Sequence, residues 1–155
     1  MRKNYLIPLL SLLLLLSGCS ASGPRYQSTQ LTSQSNGLIY IYRPAQFVNG
    51  GGYPEILINN ESIGPLKNGG YLYAEVSPGR YHVRSKGNVM HWLLPEQSTV
   101  IDVRSGETVY LRLLSSASAA AMIGIATFNM ERQSNLHQVL AGHAQQEIRS
   151  MKLSK

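Results

Sequence analysis

The sequence predicts a mainly β fold, an antiparallel β-sandwich of about seven or eight strands with a C-terminal helix. Three observations carry this. From residue 37 onward, short runs rich in aromatic and β-branched residues are separated by Gly, Pro and Asn turns every several residues. Several runs alternate with period two. Only near the end of the chain does the apolar spacing change to three and four.

Residues 37–43 (Gly-Leu-Ile-Tyr-Ile-Tyr-Arg) read as a strand that stops at Pro44, and 45–54, with Gly50-Gly51-Gly52 and Pro54, read as a loop. Residues 55–59 form the next strand. Asn59-Asn60 suits the positive-φ turn of a tight hairpin, and 62–66 returns as its partner. Strands follow at 71–76, 80–85, 99–103 and 108–114, with a looser stretch at 86–97. In the last of these strands Val109, Leu111 and Leu113 face one way, and Thr108, Tyr110 and Arg112 the other. Trp92, in the looser stretch, is expected either to plug one end of the core or to stand exposed as a recognition aromatic. Residues 122–130 are apolar and are expected as a last buried strand. Leu136, Val139, Leu140, Ala144, Ile148 and Met151 then share one face of a helix over about 134–152, capped by Ser134 or Asn135.

The start of the chain has a different character. Arg2 and Lys3 precede an apolar run from Leu6 to Leu16, interrupted only by Ser11 within a leucine-rich stretch. Eleven residues rise about 17 Å as a helix, half of a bilayer core, which is too short to span and right for an export signal. The run ends in Leu16-Ser17-Gly18-Cys19, which resembles the bacterial lipobox. The resemblance implies that residues 1–18 are removed, that the Cys19 sulfur takes a diacylglyceryl group and that its amine is then acylated, typically with palmitate. The protein is thereby expected to be held at the membrane, since several acyl chains make a durable anchor where one does not. Ser20 stands where inner-membrane lipoproteins of this resemblance carry Asp, which implies the outer membrane, facing the periplasm. Residues 20–36 include seven Ser or Thr and three Gln and show no periodicity. They are expected to be a flexible tether with a span of roughly 20–25 Å, leaving 37–155 as the folded domain.

A family resemblance follows from the order of several stretches: Leu38-Ile-Tyr-Ile-Tyr-Arg-Pro44, Ile56-Leu-Ile-Asn-Asn-Glu-Ser-Ile-Gly64, Asn68-Gly-Gly-Tyr71, and Val76-Ser-Pro-Gly-Arg-Tyr-His-Val83. Together these resemble the DUF2846 family of bacterial lipoproteins, and the hairpin and the Pro-Gly turn also resemble PEGA-type β modules. The resemblance implies a β-sandwich in the cell envelope with no assigned catalysis. Arg43, Gly64 and Gly79 match its pattern as a strand end and two turns.

Composition narrows the chemistry further. Without Arg2 and Lys3, twelve basic residues face eight acidic ones, a net charge of +4. The charges are scattered, so nucleic acid is not an expected partner. The single cysteine is the one in the lipobox, and Asp102 is the only Asp. No Ser sits in a Gly-x-Ser-x-Gly elbow, and His82, His91, His137 and His143 lack metal-ligand spacing. No enzyme activity, metal or cofactor is expected. One pattern suggests binding: Arg80, His82, Arg84 and Lys86 alternate with Tyr81, Val83 and Ser85, so the four share one strand face. Such a stripe suits an anionic glycan, a lipid phosphate or an acidic partner strand. The sequence therefore supports a lipid-anchored, non-enzymatic interaction domain that meets an envelope protein, with glycan or lipid binding by the stripe as the first alternative and an enzyme, for which no site is apparent, as the last.

Overall fold

The computed structural model describes residues 20–47, 49–87, 90, 92–120 and 129–155; the expected export signal, Cys19, His91 and most of the expected strand 122–130 lie outside them. Nine strands and one helix occur among the described residues. They are β1 (Gly37–Arg43), β2 (Glu55–Ile58), β3 (Glu61–Pro65), β4 (Gly70–Val76), β5 (Gly79–Lys86), β6 (Gln97–Val103), β7 (Thr108–Ala120), β8 (Asn129–Val139), α1 (Ala141–Ile148) and β9 (Lys152–Leu153). They form two sheets, β8-β7-β1-β4-β9 and β3-β2-β5-β6. The smaller sheet is antiparallel throughout. The larger sheet is mixed, because β1 pairs β7 in parallel and β4 pairs β9 in parallel. The expected sandwich is present, but not as a wholly antiparallel one.

Alternation places the core between the sheets. Ile39, Ile41, Val109, Leu111 and Leu113 from the larger sheet meet Ile56, Ile58, Val83, Ile101 and Val103 from the smaller one. Each fully buried aliphatic side chain of this kind contributes about 1.5–3 kcal/mol. The expected hairpin turn is made by Asn59 and Asn60, with φ of 48° and 73°. Because β1, β3, β5 and β7 all run one way, the molecule has two distinct ends. The upper end gathers the β1–β2 loop, the β3–β4 loop and the β5–β6 loop, and there β7 and β8 run on past the end of β1 as far as Ala120 and Asn129. The lower end holds the short β4–β5 and β6–β7 turns.

The outer face of the larger sheet carries a second apolar layer. Leu38, Tyr40, Tyr42, Tyr71 and Tyr110 are buried there beneath Ala144, Ile148 and Met151. The helix is shorter than the 134–152 expected. Residues 129–139 instead pair with β7 as β8, in register from Ala120↔Asn129 to Tyr110↔Val139. Strand pairing wins there because it satisfies the edge of β7 and sends Leu136 into the inter-sheet core beside Leu113. Ser134 donates to Pro95 O instead of capping a helix, and Leu140 occupies the N-cap position without a side-chain bond.

The expected tether is also different. Residues 20–36 run from the upper end to the lower end across the outer face of the larger sheet. Backbone bonds hold them: Ala21 N to Asn68 O at 3.0 Å, Gly23 N to Leu153 O at 3.0 Å and Tyr26 N to Met151 O at 2.9 Å. A side chain at Gly23 would begin 2.5 Å from Leu153 O, so the close approach there depends on glycine. Tyr26 sits edge-on to Tyr40 and Tyr71, at 5.5 and 5.4 Å between ring centres. Each such pair is worth about 0.5–1.5 kcal/mol beyond burial. A polar composition therefore hides a strap pinned by one aromatic residue and by backbone pairing.

The lower part of the strap is held by Glu75, whose carboxylate accepts from Thr32 N, Thr32 Oγ1, Ser33 N and Asn36 Nδ2. Those donors, Thr32 first, pull the Glu75 pKa from 4.5 down to about 2. A depressed folded-state pKa contributes stability above the unfolded value and loses it as pH falls through the folded one. Residues 32–36 should therefore stay docked at neutral pH and loosen between about pH 4.5 and 2, and Glu75→Gln should loosen them at every pH. Limited proteolysis across that range, read by mass at 32–36, checks this; cleavage that is independent of pH and unchanged in Glu75→Gln would contradict it.

Candidate functional site

The four stripe residues do lie on one face of β5. Arg80, His82 and Lys86 are exposed and Arg84 is half-buried, while Val83 and Ser85 point inward. The face is the outer surface of the smaller sheet, and its neighbours balance its charge. Arg80 makes a two-pronged pair with Asp102 opposite it on β6, Nε to Oδ1 at 2.9 Å and Nη2 to Oδ2 at 3.2 Å. This pairing raises the Arg80 pKa and lowers that of Asp102. Arg84 donates to Glu96 Oε1 at 2.9 Å and to Asn60 Oδ1 at 2.8 Å. The backbone N–H of His82 donates to Asn59 Oδ1, which fixes the hairpin against β5. Lys86 stands opposite Glu55 in register. The cations are brought together as expected, but three carboxylates come with them, which leaves a charge-balanced face in place of an open anion site.

A different pattern marks the upper end, and it begins at a buried arginine. Arg43 is fully buried. Its guanidinium donates to Gly52 O and Asn49 O, both at 2.6 Å, and lies 4.7 Å from the centre of the Trp92 ring. Burial pushes its pKa down to about 10, so the charge persists at neutral pH. One side chain thus joins the β1–β2 loop to the β5–β6 loop. Between those loops lies a shallow groove of about 220 Å³ lined by Asn49, Gly51, Gly52, Met90, Leu93 and Leu94, with Trp92 at its base. Trp92 is 3% exposed, so it plugs the end of the core.

A second junction ties the strap to the same end. Ser20 bridges Asn68. The Asn68 side chain accepts from Gln46 N and donates to Gln46 O, both at 2.9 Å. The Gln46 side chain in turn bonds β7, accepting from Ser115 N and Oγ and donating to Ser115 O. The first described residue, the β3–β4 loop, the β1–β2 loop and β7 are therefore linked side by side.

Other polar groups serve packing. Arg112 and Tyr42 both bond Glu147, at 2.8 and 2.6 Å, and clamp α1 to the sheet. Burial, with Glu147 adding to it, raises the Tyr42 pKa. His137 meets Asn135 and Arg112, and burial followed by the Arg112 charge lowers its pKa. Among the described residues, no three His, Cys, Asp or Glu side chains are placed to hold a metal, and no helix is long and apolar enough to cross a membrane.

These features define a two-sheet β domain whose outer layer is a helix and an N-terminal strap. The chain belongs to the family described as Protein of unknown function (DUF2846), whose model matches residues 33–125. No curated protein and no solved structure matches it.

Residue patterns did not reveal the role of Arg43. It reads as a strand end, and only its lack of any nearby acidic residue in sequence hints that it bonds backbone carbonyls. Arg43→Ala should destabilise the domain by about 3 kcal/mol or more, because it opens a cavity and orphans two carbonyls. Arg43→Lys should recover only part of this, since one ammonium does not reproduce the fork. Urea midpoints would measure both, and Trp92, the only tryptophan, should shift to the red in the native baseline of Arg43→Ala. An unchanged midpoint would contradict the clamp.

Proposed function

We propose that this protein is a lipid-anchored envelope lipoprotein without catalytic activity, acting as a structural or accessory interaction domain at the periplasmic face of the outer membrane. The observation that carries the reading is the lipobox Leu16-Ser17-Gly18-Cys19, which directly precedes the first residue held by the domain, Ser20. Membership of the family places no reaction against it. Arg43, Gln46, Asn68, Glu75 and Glu147 are engaged in clamps between elements, which supports a structural role for them over a chemical one. The glycan- or lipid-binding reading of Arg80, His82, Arg84 and Lys86 takes second place, because their carboxylate neighbours offset the charge it needs.

The test is processing and location. Wild-type chain should incorporate radiolabelled palmitate and fractionate with the outer membrane. Cys19→Ser should incorporate none and should not enter that fraction. Ser20→Asp should keep the label and move to the inner membrane. Labelling that is unaffected by Cys19→Ser, or an outer-membrane location that survives it, would overturn the reading.

A further inference from the structure

Large exposed hydrophobic side chains are unevenly placed on this domain. Six occur among the described residues: Phe47 at 102% exposure, Met90 at 82%, Leu93 at 70%, and Tyr73, Val100 and Leu140. The last three stand apart, on β4, on β6 and at the start of α1. The first three all sit on the two upper-end loops that Arg43 joins. Single exposed apolar residues need no explanation, but a group of them on adjoining loops marks a contact surface.

The position of Ser20, next in sequence to Cys19, says what that surface meets. Ser20 bridges Asn68, Asn68 grips Gln46, and Phe47 is the next residue. Cys19 directly precedes Ser20 in the sequence. Since residues 20–36 are bonded along the sheet, there is no slack between the acylated residue and the domain. Lys67 is at the same end, on the β3–β4 loop, and suits the phosphate layer of a bilayer.

We propose that the upper-end loops carrying Phe47, Met90 and Leu93, beside the projecting β7–β8 strands, face and touch the phospholipid surface, with the β4–β5 and β6–β7 turns pointing away. The proposal rests on lipidation of Cys19 and adds to it an orientation and a second membrane contact. Apolar side chains on such loops enter about 5–10 Å into the headgroup and acyl boundary, whereas the lower end stands about 23 Å away, the length of a seven-residue strand.

Lipidation occupies the Cys19 sulfur, so an introduced cysteine is the only free thiol for labelling. Phe47→Cys, Leu93→Cys and Ser105→Cys, each at an exposed position, are made in the full lipidated chain. They are labelled with a polarity-sensitive fluorophore and reconstituted into phosphatidylethanolamine–phosphatidylglycerol vesicles carrying a lipid-borne quencher. Flotation is measured on the same samples. The expected result is flotation of all three, with blue-shifted emission and quenching several-fold stronger at 47 and 93 than at 105. Equal quenching at the three sites, or water-like emission at 47 and 93 in chains that still float, overturns the proposed orientation and leaves the anchor standing. Failure to float overturns both. The same blue shift in Cys19→Ser chains without vesicles, growing with protein concentration, overturns it in favour of a second copy of the chain as the occupant.

Discussion

Everything in this fold follows from the burial of β1 on both faces. All seven of its residues are buried. Ile39 and Ile41 face the smaller sheet, and Leu38, Tyr40 and Tyr42 face away from it. A strand with one solvated face needs only a second sheet. A strand with two apolar faces needs two covers, and the outer one must hide tyrosine rings as well as aliphatic carbon. Helix α1 supplies part of that cover through Ala144 and Ile148, with Met151 just beyond it. The strap supplies the rest through Tyr26 and Leu31, and Tyr40 OH accepts from Thr29 N at 2.9 Å. The buried phenol next to the strap is thereby satisfied, as burial requires.

This explains which features were legible in the sequence. The strands of the inner core were, because Val109, Leu111 and Leu113, or Tyr81, Val83 and Ser85, alternate cleanly and turn residues bound them. The last strand was not. Leu136, Val139 and Leu140 happen to fall three and four apart, so they extended a helical pattern that begins only at Ala141; what decided the matter was the free edge of β7, a property of the sheet and invisible to local spacing. The strap was hidden for a related reason. Its residues are mostly polar, and Ala21, Tyr26 and Leu31 gain meaning only once a tyrosine layer exists for them to cover. The β5 stripe was legible as geometry but not as charge, since Asp102, Glu96 and Glu55 join it through strand register and loop position.

Docking of the strap changes what an anchor at Cys19 does. A tether of 20–25 Å would let the domain reorient above the membrane and meet partners in many poses. A docked strap removes that freedom, and under the proposed lipidation of Cys19 it would hold one end of the sandwich toward the membrane. Arg43 then matters beyond stability, because it sets the relative position of the two loops that carry Phe47 and Leu93.

The central claim is that residues 20–36 belong to the fold, and native-state hydrogen exchange tests it most directly. The amides of Ala21, Gly23, Tyr26 and Thr29 each donate to an acceptor outside the strap. In the Cys19→Ser chain at neutral pH, these four should exchange far more slowly than the random-coil rate, while their neighbours Ser22 and Ser28 exchange faster. Random-coil exchange at all four, with protection beginning only at β1, would contradict the account.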